Sequence, residues 1–584
     1  MFAGVLLRST VVAAVLVAGV SLPGCKGRSS SRTRPEEAPK VAAPSARAEF
    51  ELYAFAEIVG TIAPCGCTTE PLGGVQFAFG AIEADSEPKE RLVVEPGSFL
   101  FPQTEGPLWP TDEPSWEQAR DRARVLQQRF SALGEQLVSG VGPTDVAAPE
   151  GVRALADYPL PRVVANVPAL SLPTHRRVTL ESEGVQWHVG VTAVVDPEAP
   201  GAGKLGDVGA VQAALPPVIE RLRGDGADAV VVLAQGPRAF AEQIAETVDG
   251  IDVVVVGHPR GVETERLGSP VVQRGKTFIL EPGTQLQTMS VLRLSVAPSV
   301  KDVPDASGWT LEAGQAELAA ELERVQARLT KFEADPEADP AFLARLRAER
   351  DGLAAKQRGQ GERAPVVATF EQLKVTCKLP ADRRGAEALA AYEAKVAAAN
   401  EARFKGVKAP PAPAGTPSYA GIQACADCHE EAVEFWETTR HAGAYATLVD
   451  GNKQFDLTCV GCHVTGYRRP GGSEVVENAG LRDVQCEVCH GPGSLHVEDG
   501  GEDLTKILRD TPAELCATEC HTPEHSDTFA YEAYLRDVLG PGHGDAKRKA
   551  LGDGPTGREL RRAGLEAAGG SCKEKMMAPS PSAG

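Results

Sequence analysis

Cys425-Ala-Asp-Cys428-His429, Cys459-Val-Gly-Cys462-His463 and Cys486-Glu-Val-Cys489-His490 repeat one pattern three times. Cys516-Ala-Thr-Glu-Cys520-His521 repeats it again with one residue added. Cys-x-x-Cys-His is the spacing of covalent c-type haem attachment. Two thiols about one helical turn apart reach the two vinyl groups of a porphyrin, and the histidine that follows brings its imidazole to the iron. Zinc sites also use Cys and His, but they pair two Cys-x-x-Cys units or a Cys pair with a distant His pair. They do not need His directly after the second Cys each time. The pattern therefore predicts haem c held by Cys425, Cys428, Cys459, Cys462, Cys486, Cys489, Cys516 and Cys520, with His429, His463, His490 and His521 as proximal iron ligands. Four haems are expected. At the fourth site one extra residue turns the second thiol by about 100° on a regular helix. A local bulge would absorb it. The alternative is a Cys516–Cys520 disulfide and three haems.

Outward from the motifs, the intervening residues are informative. They are Trp436-Glu-Thr-Thr-Arg-His441-Ala, Cys462-His463-Val-Thr-Gly-Tyr467, Gln485-Cys486 through Gly-Pro-Gly-Ser-Leu-His496, and His521-Thr-Pro-Glu. Over about residues 420 to 545 they resemble the multihaem cytochromes typified by the tetrahaem electron acceptor of hydroxylamine oxidoreductase. The resemblance implies a mainly α, loop-rich domain, 419–547, in which extra histidines cap the second face of each iron. His441 and His496 match family ligand positions. His525 and His543 are further candidates, with a solvated loop histidine as the plain alternative. Cys572 and Met576 would be a further ligand or part of a disordered tail over 548–584.

The start of the chain reads as an export signal. Arg8 is followed by an apolar run from Val11 to Val20 and then by Leu22-Pro23-Gly24-Cys25. The run is too short to span a membrane. Residues 1–25 resemble a lipoprotein signal with its lipobox, which implies a lipid on Cys25. A flexible tether, 26–48, rich in Ser, Arg, Pro and Ala, follows. The expected location is the periplasm or the cell surface, with membrane contact through the lipid anchor. A formal charge of −20 argues against nucleic acid as a partner, since phosphates need a basic face.

Residues 49–297 alternate apolar runs with amphipathic segments, which predicts an α/β sandwich. Strands are expected at Leu52–Ile58, Arg91–Glu95, Val163–Asn166, Trp187–Val195, Ala229–Ala234, Val253–Val256 and Thr277–Glu281. Helices are expected at Trp116–Leu133 and Val211–Gly224. The order of local motifs resembles the metallophosphoesterase domain of the 5′-nucleotidase family: Glu57-Ile-Val59-Gly60, Glu95-Pro-Gly-Ser98, Gly142-Pro143-Thr-Asp145, Gln235 and Gly257-His258-Pro-Arg260. At the family's metal-ligand positions, however, stand Val59, Ser98, Pro143, Gln235 and Arg260. Val59 and Pro143 have no side-chain donor, so the resemblance implies a degenerate site. Only Glu57 and His258 remain as ligands, and two ligands do not hold a metal-bound hydroxide. His175 and His188 read as structural. Cys65-Gly-Cys67 with Gly73-Gly74 after the first strand reads as a redox-active or metal-binding pair, or else as a structural disulfide.

Between the two regions, 311–406 reads as a helical spacer. Leu318, Leu322, Val325, Leu329 and Phe332 form a seam that ends at Pro336 and Pro340. Leu343, Leu346 and Leu353 suggest a returning helix, with self-association through 311–360 as one use of the hairpin. A strand pair with Cys377 is expected at 363–378, an Ala-rich helix at 381–405 and a Pro-rich linker at 407–418. The whole reads as an exported, lipid-anchored multihaem c-type cytochrome that exchanges electrons with redox partner proteins. It reads as an electron carrier more than as a catalyst. The alternatives are a multihaem reductase with one open haem, and a residual phosphoesterase.

Overall fold

A computed structural model describes residues 46–64, 67–102, 112–257, 267–312, 315–333, 340–359, 364–522, 525–569 and 572. Cys25 with its lipobox, most of the tether, Cys65, His258, Arg260, Pro336 and Met576 lie outside the described residues. Among the described residues no helix is long and apolar enough to cross a membrane.

Strands run in chain order as β1 (Ala48–Ala54), β2 (Arg91–Glu95), β3 (Leu137–Ser139), β4 (His175–Ser182), β5 (Val185–Val195), β6 (Ala229–Gln235), β7 (Val253–Val256), β8 (Gly268–Arg274), β9 (Thr277–Pro282), β10 (Thr288–Val296), β11 (Trp309–Leu311) and β12 (Val366–Lys374). They form two mixed six-stranded sheets, ordered β11-β12-β10-β1-β2-β3 and β4-β5-β6-β7-β9-β8. Ala229-Val-Val-Val-Leu-Ala-Gln235 is buried along its length because it is a central parallel strand covered on both faces. Phe50, Leu52, Leu92 and Val94 of the first sheet meet Trp187, Val189, Val231 and Leu233 of the second in one apolar layer. On the outer face of the first sheet, Tyr53 and Val93 share a core with Phe79, Ile82, Phe130 and Tyr392. These side chains come from the helices Val75–Asp85, Glu113–Ser131 and Arg383–Phe404. The helices Val211–Gly224 and Arg238–Thr247 cover the far face of the second sheet. The result is the helix–sheet–sheet–helix sandwich that the alternation predicts.

Several boundaries differ from the sequence reading. β1 stops at Ala54 instead of Ile58. Glu57 and Val59 adopt φ of 41° and 43°, a left-handed backbone that cannot continue a strand. Val163–Asn166 is not a strand, and the Asn166 side chain instead pairs with Val195, donating to its carbonyl (2.7 Å) and accepting from its N–H (2.9 Å). The first sheet does not close at residue 297, because β11 and β12 join it from farther along the chain. The helical hairpin, Gln315–Glu333 and Pro340–Gly359, is inserted between those two strands. Its seam closes on itself: Val325 and Leu329 pack with Leu346 and Leu353, and Phe332 meets Phe342 edge to face at 5.1 Å. Residues 363–378 hold one strand, β12, which lies between β10 and β11.

Residues 557–569 and Cys572 also belong to this unit. The helix Gly557–Ala567 starts on a capping box of Thr556 and Glu559. Cys572 forms a disulfide with Cys377 across 195 residues of sequence. This replaces the readings of Cys572 as an iron ligand or part of a disordered tail. A crosslink over so long a loop removes much chain entropy from the unfolded state. Cys377→Ser with Cys572→Ser is therefore expected to lower stability by roughly 2–5 kcal/mol. Thermal unfolding of the pair of proteins, followed by near-UV dichroism, checks this, and equal midpoints would disprove the crosslink.

The helix Arg383–Phe404 carries the sandwich into the C-terminal domain. Asn400 Nδ2 donates to Phe455 O (2.9 Å), and Gln118 Nε2 donates to the half-buried Asp456 (2.5 Å). Phe404 joins Tyr445, Leu448, Val460 and Val464 in a small core. Arg468 pairs with Asp112 (2.5 Å).

Candidate functional site

Each Cys-x-x-Cys-His motif sits on one tight turn of helix, which is how its spacing is met. In the first, on Ile422–Ala426 and the residues after it, His429 N–H donates to Cys425 O (2.9 Å). The third occupies the helix Cys486–His490, and the second a 3₁₀ turn, Val460–His463. The fourth motif begins on the helix Ala513–Glu519. There His521 N–H donates to Cys516 O (2.8 Å), one residue farther along than in the first motif. The added residue is taken up by a single π-type turn at the end of the helix. His521 thereby stands in the same relation to Cys516 as His429 does to Cys425.

The imidazoles are oriented for metal binding. His463 Nδ1 donates to Ala444 O and His490 Nδ1 to Leu508 O, each at 2.6 Å, and His521 Nδ1 lies 3.0 Å from Ser526 Oγ. For His463 and His490 a carbonyl partner fixes the proton on Nδ1 and leaves Nε2 as the nitrogen that could take a metal. Burial pushes the His441 imidazole down. Burial and the neighbouring His441 push His521 down to about 4. Both rings are thus neutral at physiological pH, as iron ligands must be. Their centroids lie 6.3 Å apart. Two metal–imidazole bonds of about 2 Å plus the distance to each ring centre give about 6 Å, so these two rings fit the two faces of one haem. His543 is likewise held down by burial and by His490, which makes those two neighbours. His496 Nδ1 is buried with no hydrogen-bond partner. His525 is turned to its own loop, with Nδ1 2.9 Å from Thr522 Oγ1.

The thiols of different motifs meet. These sulfurs stand for the thioether links that haem attachment makes. Contact with Cys486 and burial push the Cys425 thiol up. Contact with Cys462 and burial do the same to Cys520. Cys489 is pushed up to about 11 by burial, with Cys516 next among the causes. The sites are therefore adjacent in the order first, third, fourth, second. His463, in the second site, is lowered by burial, but its contacts with Cys67 and Ala444 O outweigh this and hold it above its ordinary value. Sequence reasoning did not place Cys67 here. It also missed the Ala444 and Leu508 carbonyls as orienting groups, because a backbone carbonyl leaves no trace in residue type, and the Ser526 hydroxyl, which only the fold brings to His521.

A domain of closely spaced Cys-x-x-Cys-His turns with paired neutral histidines is a multihaem c-type cytochrome domain. Residues 424–491 match the family described as cytochrome c554 and c-prime. Cytochrome c-554 of Nitrosomonas europaea is 33% identical over 113 residues, which cover 16% of this chain and 48% of that protein. The chain thus spans about half the length of the curated relative it matches. The solved structure of reduced cytochrome c554 from Nitrosomonas europaea is 23% identical, covering 26% of this chain and 98% of that one with a TM-score of 0.19. A 5′-nucleotidase precursor from Thermus thermophilus is 14% identical, covering 75% of this chain and 87% of that one with a TM-score of 0.39. The chain carries a cytochrome c554-like, haem-c-binding domain fused behind an α/β sandwich.

Two of the positions compared with metal ligands, Ser98 and Gln235, are taken up by internal contacts. The Asp145 carboxylate accepts N–H bonds from Ser98 (3.1 Å), Phe99, Leu100 and Gly142 (2.8 Å each). Gln235 Nε2 donates to Ser98 Oγ (3.1 Å). Glu95 accepts from Gly97 N–H (2.8 Å) and Ser139 Oγ (3.0 Å). Burial, then Asp145, pushes its carboxyl up to about 8. Arg162, pushed down by its own burial, lies near both carboxyls. Among the described residues no group of three or more His, Cys, Asp or Glu side chains is arranged to hold a metal ion.

Proposed function

We propose that this protein is an exported, lipid-anchored electron carrier with four covalent haems. The observation that carries the reading is the adjacency of thiols from different motifs, Cys425 with Cys486, Cys489 with Cys516 and Cys520 with Cys462. Haems held on these neighbouring motifs would lie next to one another, and the row first–third–fourth–second would give electrons one continuous route. When bound, haem c supplies reversible one-electron chemistry. The chain's own residues would attach it through paired thiols and bring an imidazole to the iron from each motif. The proposed ligand sets are His490 with His543 and His521 with His441; His496, whose buried Nδ1 has no hydrogen-bond partner, is a further candidate ligand. The α/β sandwich acts as a docking or redox-sensing module rather than a phosphoesterase. The donor and acceptor are soluble or membrane redox proteins.

The test is the intact mass of the mature protein under denaturing conditions, where only covalent haem survives. Four haem masses are expected, because the π-type turn restores the fourth motif. Three, with Cys516 and Cys520 recovered as an unmodified or disulfide-linked peptide, would show that the fourth site is dead.

Anchoring rests on Leu22-Pro23-Gly24-Cys25 behind an apolar run. Several acyl chains on one residue hold a protein stably at a bilayer. Cys25→Ser is expected to release the protein to the soluble periplasmic fraction or to block its maturation. A variant that remains membrane-bound and correctly trimmed removes the case for a lipid on Cys25.

A further inference from the structure

Cys67 belongs by sequence to the loop after β1, but the fold delivers it to the second haem site. The residues around it are fastened to the C-terminal domain. Thr69 donates to Asp527 through its backbone N–H (3.0 Å) and its Oγ1 (2.6 Å). Arg561 Nη1 donates to Cys67 O (2.9 Å). Gly564 packs so tightly on Thr69 that a Cβ there would come within 2.9 Å of Thr69 Oγ1. The Cys67 side chain hydrogen-bonds the His463 imidazole and lies in electrostatic range of Cys459, Cys462 and His521. His463 Nδ1 is committed to Ala444 O, so the nitrogen that faces Cys67 is Nε2, the one an iron would take. His521 has a comparable neighbour in His441, with ring centroids 6.3 Å apart. At the fourth site the opposing group is a histidine of the same domain. At the second site, among the described residues, it is a cysteine from the sandwich.

We propose that Cys67 supplies the sixth ligand to the iron held by His463, so that the fused α/β region completes the second haem centre. Ligation forms one sulfur–iron bond and releases the thiol proton to solvent, with no change in oxidation state. A thiolate pushes electron density onto iron and stabilises the ferric form. The second haem then has the lowest potential of the four, at one end of the row. A change in the loop that carries Cys67 would alter that potential directly.

This inference rests on the four-haem reading, and the experiment separates the two. The probes are the full-length ferric holoprotein and its Cys67→Ala, Cys67→Met and Cys65→Ala variants, compared by intact mass, EPR and optical redox titration. The wild type is expected to show one low-spin signal of the narrow, thiolate-ligated kind beside bis-imidazole signals. Cys67→Ala should keep the haem count, turn one haem high-spin and make it bind cyanide. Cys67→Met should restore a low-spin iron at a higher potential. Cys65→Ala should leave the spectra as they are. A full haem count with only bis-imidazole signals in the wild type, or an unchanged spin state in Cys67→Ala, overturns the proposal, as does loss of the thiolate signal in Cys65→Ala alone. If the variants do not accumulate, the wild-type EPR spectrum decides by itself. No haem mass on the Cys459–Cys462 peptide of the wild type would instead overturn the reading of the site, and this inference with it.

Discussion

His441→Ala is expected to turn one haem from six-coordinate low-spin to high-spin while the haem count stays the same. The reason is geometric. His441 and His521 lie with centroids 6.3 Å apart and tilted by 39°, with both imidazoles kept neutral by burial. His521 is fixed by the attachment motif and by Ser526, so the proximal bond should survive. Only the opposite face should open. His441 is set by the 3₁₀ turn His441–Gly443, and its carbonyl accepts from Val484 N–H (3.1 Å), which ties it to the third motif. Alanine is compatible with that backbone, so the effect should be local. Roughly a quarter of the haem should then bind carbon monoxide or cyanide, and the potential of that haem should rise as a donor is lost. EPR and carbon monoxide difference spectra measure this. If instead His441→Ala leaves every haem low-spin, the two imidazoles do not share an iron.

Glu95→Gln is expected to stabilise the sandwich, and more so at higher pH. Glu95 is fully buried, and its carboxyl moves from an ordinary 4.5 up to about 8, through burial first and then Asp145. The folded state therefore holds this proton more tightly than the unfolded state does. Below pH 4.5 both states are protonated and the wild type carries no penalty. As pH rises from about 4.5 to about 8 the unfolded carboxyl ionises freely while the buried one resists, so stability falls. Above about pH 8 the penalty is complete, on the order of 3–5 kcal/mol from the size of the displacement. Glutamine can accept from Gly97 N–H and donate to Ser139 Oγ without ever ionising. Variant and wild type should match near pH 4.5 and diverge by about pH 8. Calorimetric midpoints across that range test the sign. A difference that does not change with pH would mean that folding leaves the Glu95 carboxyl where it titrates in the unfolded chain.

The Cys-x-x-Cys-His turns were legible because they are local. Cys425, Cys428 and His429 need only one helical turn to be brought together, and spacing alone encodes that turn. The apolar runs of β2, β6 and β7 were legible for a similar reason, since a strand covered on both faces must be apolar throughout. β1 was placed too far along because Phe55, Ala56 and Ile58 are buried and apolar without being in the sheet. Burial and strand pairing look the same in a pattern of residue types. The Cys377–Cys572 bridge and the entry of β11 and β12 into the first sheet were not legible, since nothing in residue type records a partner far along the chain.

By itself, then, the sequence determined that the C-terminal domain carries haem-c motifs, where those motifs lie and which strands must be buried. Covalent spacing and hydrophobic periodicity act over a few residues. Only the tertiary structure decided which imidazoles face one another, that the four motifs adjoin in the order first, third, fourth, second, and that Cys67 of the sandwich reaches His463. Those relations depend on segments up to several hundred residues apart meeting with particular side chains turned inward. The packing of the whole chain fixes that outcome, and no local pattern contains it.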